Sequence, residues 1–181
     1  MEELKKQLDA LQAQITAANN RLPENKVSII VFSGDLDKAL AAFVIATGAV
    51  AMGMDVVMFF TFWGTPLLRD SEKKVGEKDA MSTMFGAMLP SGAKDAKLSK
   101  MNMSGLGTAM MKSLMKKKNV NSLEGFIDLA EELGVRIFIC EMSMDLMGFK
   151  REEMIDYKHL TYGGVAGFLE EAASSKVQLF I

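Results

Sequence analysis

The chain has 181 residues, 49 % hydrophobic and 24 % charged, which suits one α/β domain with a buried core and a short appendage. A formal net charge of −2 and a pI near 5.5 argue against nucleic acid, which requires a basic face. One cysteine rules out an intramolecular disulfide and one histidine rules out a His-rich metal site, so no metal or cofactor is expected. Glu2 places charge where a secretory leader would run apolar, and with the single thiol this points to a reducing cytoplasm. Sixteen methionines supply adaptable packing or a pliable surface.

Residues 2–20 read as a helix whose Leu4, Leu8, Leu11 and Ile15 form an a/d seam. Two heptads are unstable alone, so the seam must pack, either on its own domain or on another subunit. Residues 21–26 are a breaker and linker, leaving 1–22 as an appended helix and 27–181 as the main domain. The run 27–32 is near-continuously apolar, the pattern of a strand buried on both faces. Ser33-Gly34-Asp35 then turns the chain, with Asp35 or Ser33 placed to cap a helix that starts near Leu36 and ends at Gly53. Residues 54–60 form the second apolar strand, and the crossover rule makes the two parallel. The turn lacks both G-x-G-x-x-G spacing and a Walker lysine, so it carries no nucleotide signature.

Trp63, beside Gly64 and Pro66, stands where a pocket wall would be. An insertion spans about 71–118: a charged run at 71–78, helical spacing of Met81, Met84, Phe85 and Met88, then a second Met-rich stretch at 100–118. No run is long or apolar enough to span a bilayer, and Met stands where interfacial anchors use Trp, Phe and Leu, so membrane contact is not expected. The insertion reads instead as a pliable cover for a site or a subunit interface. A helix beginning at Asn121-Ser122 carries Leu123, Phe126, Ile127, Ala130 and Leu133 on one stripe and stops at Gly134. Residues 135–139 are the third strand, 150–153 a helical turn and 155–160 irregular. Gly163-Gly164 opens a last helix, and 177–181 is a closing strand. Strands and helices alternate, the signature of an α/β domain with a mainly parallel sheet.

The third strand delivers Cys140 to its carboxyl end, where ligands bind in open α/β sheets. Ser143 and Asp145 are each placed to cap a short helix ending at Gly148. A helix start favours the thiolate, whereas Glu141 and Asp145 oppose it, and the nearest cations in sequence are Lys150 and Arg151. With no second thiol in the chain, the chemistry open to Cys140 is a persulfide, a mixed disulfide or a nucleophile, with His159 as a candidate base. The competing reading is a packed cysteine in a non-catalytic binding or scaffold module.

Ser33-Gly-Asp-Leu-Asp-Lys38, Phe59-Phe-Thr-Phe-Trp-Gly64 and Cys140-Glu-Met-Ser-Met-Asp-Leu-Met-Gly148 together resemble the DsrE/DsrF/DsrH-like superfamily, in the DsrE-like branch labelled peroxiredoxin-family or sulfurtransferase. The Thr-x-x-Cys context of true peroxiredoxins is missing. The resemblance implies a flavodoxin-like three-layer αβα fold, homo-oligomeric assembly and cytoplasmic sulfur trafficking. It implies that Cys140 carries sulfane sulfur as a persulfide and passes it to rhodanese-like or TusA-like partners. Ser143 is expected to line the cysteine loop. Asp35, Trp63 and Gly164 are expected near it because the topology gathers strand ends.

Overall fold

The computed structural model describes residues 2–19, 22–73, 76 and 78–181. Arg21 of the expected linker, residue 20 of the expected helix and residues 74, 75 and 77 of the charged run lie outside these. The first element is helix α1 (Glu2–Asn19), followed by strand β1 (Glu24–Val31). Its first residues come from the expected linker, and Glu24, Asn25 and Lys26 make it less uniformly apolar than the run 27–32 alone. Helix α2 (Leu36–Ala51) returns to strand β2 (Asp55–Phe60). The insertion holds helices α3 (Ala80–Met88) and α4 (Leu106–Lys117). Helix α5 (Leu123–Glu132), strand β3 (Arg136–Cys140) and helix α6 (Glu141–Met147) follow. Strand β4 (Leu160–Gly163), helix α7 (Val165–Ala173) and strand β5 (Ser175–Phe180) complete the domain.

The five strands form one sheet in the order β4-β3-β2-β1-β5, and every ladder is parallel. From β1 the chain steps through β2 and β3 to β4, then recrosses the sheet to lay β5 beyond β1. Right-handed crossovers therefore put α2 and α5 on one face and α7 on the other. This is a three-layer α/β sandwich of flavodoxin-like type, with α2 packed against α5.

Strand side chains alternate between faces with period two, and the core divides accordingly. Val27, Ile29, Val31, Val56, Met58, Phe60, Ile137 and Ile139 face α2 and α5 in the larger cluster. Val57, Phe59 and Cys140 face α7, packing with Phe168 and Ala172. Cys140 therefore points beneath α7 by strand parity. The stretch expected to be irregular ends in a short edge strand, Leu160–Gly163. Its four residues carry no apolar run, because an edge position half open to solvent does not demand one.

Candidate functional site

Cys140 is both the last residue of β3 and the N-cap residue of α6, so the chain passes from strand to helix with no intervening loop. Ser143 and Asp145 consequently lie inside α6 rather than capping it. Across the ladder Cys140 is in register with Gly163, and Gly164 occupies the N-cap position of α7. The thiol thus sits where α6 and α7 both begin. Gly164 is the one of the four other candidates that the topology brings directly beside it.

The thiol is covered: Cys140 is 4 % exposed. Phe168 of α7 stacks on Phe59 of β2 with ring centroids 5.0 Å apart, and Cys140 packs in the same cluster. The far half of α7 is fastened by charge. Glu171 accepts from both terminal nitrogens of Arg136 on β3, and from Lys26 Nζ of β1 at 2.8 Å. The hydrogen bonds from Arg136, reinforced by Lys26, hold the Glu171 carboxyl down at about 2. One helix is therefore tied to two strands at its carboxyl-terminal half and leans on Phe59 and the thiol at the other.

The acidic neighbour feared from the sequence is neutralised. Arg151 forms an ion pair with Glu141 and stacks its guanidinium 4.7 Å over the Tyr162 ring. His159 does not serve as a base for Cys140. Its carbonyl accepts from Ile137 N–H, which puts it at the opposite end of β3, about 10 Å from Cys140 at a rise of about 3.3 Å per residue. Its ring instead packs edge-on to Tyr157.

Ser143 is fully buried, with its hydroxyl 2.9 Å from Thr61 Oγ1 and accepting Phe62 N–H at 3.0 Å. It ties the first turn of α6 to the chain leaving β2, so its place is in holding α6 and that connection together. Asp35 and Trp63 are brought together elsewhere, in an open cleft of about 860 Å³ lined also by Ser33, Lys38 and residues 86–91. Asp35 occupies the N-cap position of α2 without capping it by its side chain. It accepts from Ser33 Oγ at 2.8 Å and pairs with Lys38 at 2.8 Å, while Leu36 N–H is taken by the Lys97 carbonyl. Trp63 is 47 % exposed on the cleft wall. The cleft lies off the end of β1, two strands from β3, about 10 Å away at the usual strand spacing.

Two crossings of backbone hold the strand ends in this arrangement. A Cβ on Gly64 would stand 2.2 Å from the Val31 carbonyl oxygen, and one on Gly34 2.4 Å from that of Trp63. Neither neighbour is a flexible side-chain end, so Gly64→Ala must move β1 or the turn after β2. A loss of about 2–4 kcal/mol in urea unfolding is expected, against little change for Gly48→Ala, which meets open space. Gly148, at the end of the motif, has φ +65° and lies under Ser82 of α3, so the insertion docks on the end of α6 through a residue without a side chain.

Phe168 is inward-facing on the last helix, as its apolar spacing predicts, whereas Glu171, Arg136 and Lys26, which clamp that helix over the thiol, were not expected from the sequence. One signal was available. Glu171 falls between Phe168 and Ala172 on the same stripe of α7, and an acid on an apolar stripe calls for a buried cation. Among the described residues no helix is long and apolar enough to cross a membrane.

The sequence matches the DsrE/DsrF/DrsH-like family over residues 23–180. It is 45 % identical over 156 residues to the uncharacterised protein YrkE of Bacillus subtilis strain 168, covering 86 % of this chain and 96 % of that protein. It is 35 % identical over 164 residues to the sulfur carrier protein DsrE2 of Allochromatium vinosum, covering 88 % of this chain and all of that protein. The YchN protein of E. coli, a solved structure, overlays with a TM-score of 0.49 at 10 % identity, covering 86 % of this chain and 98 % of YchN. With the family pattern running through the whole sheet, from before β1 to the end of β5, the chain belongs to the DsrE/DsrF/DrsH-like family.

Proposed function

We propose that the protein is a sulfur carrier in a cytoplasmic sulfur relay, with Cys140 as its carrier residue. The observation that carries this reading is the similarity, along that protein's full length, to a named sulfur carrier. In a chain with one cysteine, the role falls on Cys140. The Cys140 thiolate attacks the outer sulfur of a persulfide or polysulfide donor. The donor S–S bond breaks, the donor leaves as a thiolate, and the sulfur remains on Cys140 as a persulfide, so no external oxidant is needed. An acceptor thiolate then attacks that outer sulfur and Cys140 leaves as the thiolate. Rhodanese-like and TusA-like proteins are the proposed partners, and the carrier is proposed to work as a homo-oligomer.

Three features support the carrier role. The thiol lies at a strand carboxyl end where two helices begin, Arg151 offsets the charge of Glu141, and Ser143 fixes the first turn of α6 against Thr61. Asp35, Trp63 and Gly164 are proposed as substrate- or partner-facing positions, Gly164 at the thiol and the other two at the neighbouring cleft. Treating the protein with polysulfide or thiosulfate and mapping the sulfur by peptide mass tests the proposal. One added sulfur on the Cys140 peptide is expected in wild type and none in Cys140→Ser. No added sulfur on the residue-140 peptide in either protein would sink it.

The burial of Cys140 favours a second reading, a non-catalytic oligomeric scaffold in which the cysteine is packed core. The alkylation rate separates the two. A carrier opens α7 locally, so native alkylation runs well ahead of global unfolding, whereas a packed cysteine reacts only at the unfolding rate.

A further inference from the structure

The carrier reading makes no use of the sixteen methionines, and four of them meet in one place. Met101, Met103, Met110 and Met111 line a single groove of about 910 Å³ along α4. They are 80, 67, 65 and 39 % accessible, so their thioethers are open to a small ligand. With a single His and a single Cys in the chain, thioethers are its most plentiful soft donors.

The groove is built around Gly107, in the first turn of α4. A Cβ there would stand 1.8 Å from the Met101 carbonyl oxygen, so the backbone of Met101 lies directly on the helix. Hydrogen bonds pin it there. The Asn102 carbonyl accepts Gly105 N–H at 2.8 Å and Gly107 N–H at 3.0 Å, and Asn102 Oδ1 accepts from Thr108 Oγ1 at 2.8 Å. Asp37 of α2 accepts Ser99 N–H at 2.8 Å and the Ser99 hydroxyl at 2.7 Å, which fixes the start of the same turn. Met101 and Met103 have φ of +58° and +46°, in the left-handed region that few non-glycine residues enter. On a helix, residues i+3 and i+4 share a face with residue i, and their side chains lean back over the preceding turn. From Gly107 those positions are Met110 and Met111, so both thioethers lean towards the glycine on which Met101 rests. Three rotatable bonds in each unbranched side chain let the sulfurs close on one point.

The donor set decides which ion fits. Among the described residues no group of three or more His, Cys, Asp or Glu could hold a metal. The charged residues bordering the groove are Asp37, whose carboxylate is taken by Ser99, and the cations Lys100 and Lys117. Hard dications such as Mg²⁺ find no oxygen cage here, and the two ammonium groups repel them. Neutral, polarisable sulfur selects a soft monovalent ion instead. We propose that the groove is a Cu(I) site, with Met101, Met110 and Met111 as its ligands and Met103 as a fourth. The ion binds in the oxidation state in which it arrives, through lone pairs of neutral donors. A thioether has no proton to release, so the affinity is level between about pH 6 and 8, unlike that of a thiolate or imidazole site.

The site stands apart from the sulfur-carrier reading, and its test removes the thiol as a competing soft ligand. Full-length Cys140→Ser protein is titrated, without oxygen, against Cu(I) held by a chromogenic chelator. One equivalent of Cu(I) is expected, at equal affinity at pH 6 and pH 8. In the same background the triple variant Met101→Leu, Met110→Leu, Met111→Leu should lose it. Met110→Leu alone should weaken it about tenfold or more, the size of effect that an outer-shell partner of a ligand already has. Leucine keeps the volume and the apolar character, so the groove stays packed. Met81→Leu with Met88→Leu, exposed methionines of α3 outside the groove, should change nothing. A second readout uses wild type labelled at its Met methyl carbons and Ag(I) up to two equivalents, enough to fill Cys140 as well. The resonances of Met101, Met110 and Met111 should shift and those of Met81 and Met88 should not. No Cu(I) taken by Cys140→Ser with no Ag(I) shift at the groove in wild type overturns the proposal. So does an affinity that rises with pH, an affinity unchanged by the triple substitution, or an Ag(I) shift equal at Met81 and Met88.

Discussion

Glu171→Gln is expected to speed alkylation of native Cys140 by about ten- to a hundredfold, because each charge-assisted hydrogen bond lost contributes about 1.5–3 kcal/mol to holding α7 on the sheet. The carboxylate is the point where Arg136 of β3 and Lys26 of β1 converge on one helix, and α7 is the cover over the thiol. A glutamine keeps the size and one acceptor but not the charge. Alkylation at fixed pH with a small maleimide, compared with global unfolding in urea, separates a local release of α7 from a general loss of stability. The acid limb has a definite sign. Glu171 is held at about 2 against an ordinary 4.5, so its contribution is fully present above about pH 4.5 and is lost as the pH falls through about 2. Pepsin cleavage within α7 should therefore rise over that window in wild type and vary much less in Glu171→Gln.

Glu153→Ala is expected to have the largest effect on stability, about 3–5 kcal/mol in urea unfolding, since it strips the carboxylate from buried cations. Glu153 is itself buried and forms ion pairs with Lys78 and with Arg69, the latter at 3.3 Å, while accepting Lys150 N–H at 2.9 Å. Burial alone would push its carboxyl up, but Lys78, the Lys150 N–H and Arg69 outweigh it and hold the group below its usual range. Both cations also lie over the Phe149 ring, at 4.7 and 5.7 Å. Arg69 further donates to the carbonyls of Gly86 and Pro90, so this one acid fastens the insertion to the segment after α6. The loss should show first as protease cleavage around α3. Glu153→Gln, which keeps an acceptor for Lys150 N–H, should lose less.

The three central strands were legible because a strand covered on both faces runs almost continuously apolar, and 27–32, 54–60 and 135–139 do so with one polar residue each, Ser28, Asp55 and Arg136. The two edge strands show how that signal fades. β5 carries Lys176 and Gln178 and extends earlier than its apolar residues suggest, and β4 shows no apolar run at all. The placement of Cys140 at a strand end was also local information. Its burial was not, because the cover arrives with Phe168, from a helix the chain reaches only after β4. The same limit applies to charge. Glu141 is ten residues from Arg151 in sequence and in direct contact with it in space, so the sequence showed the acid without its partner. His159 illustrates the converse: a residue type suited to a site can lie elsewhere, here at the far end of the strand.

The carrier role predicts a cycle, and the cycle is measurable in one sample. Wild-type protein loaded with polysulfide, freed of excess donor and then mixed with a reduced acceptor thiol protein should first gain one sulfur atom on Cys140 and then lose it as the acceptor gains the same mass. Cys140→Ser should do neither, and Glu171→Gln should load faster than wild type. A Cys140 that takes up no sulfur in the folded protein, or that keeps it in the presence of every acceptor thiol offered, would contradict the assignment of this chain as a sulfur carrier.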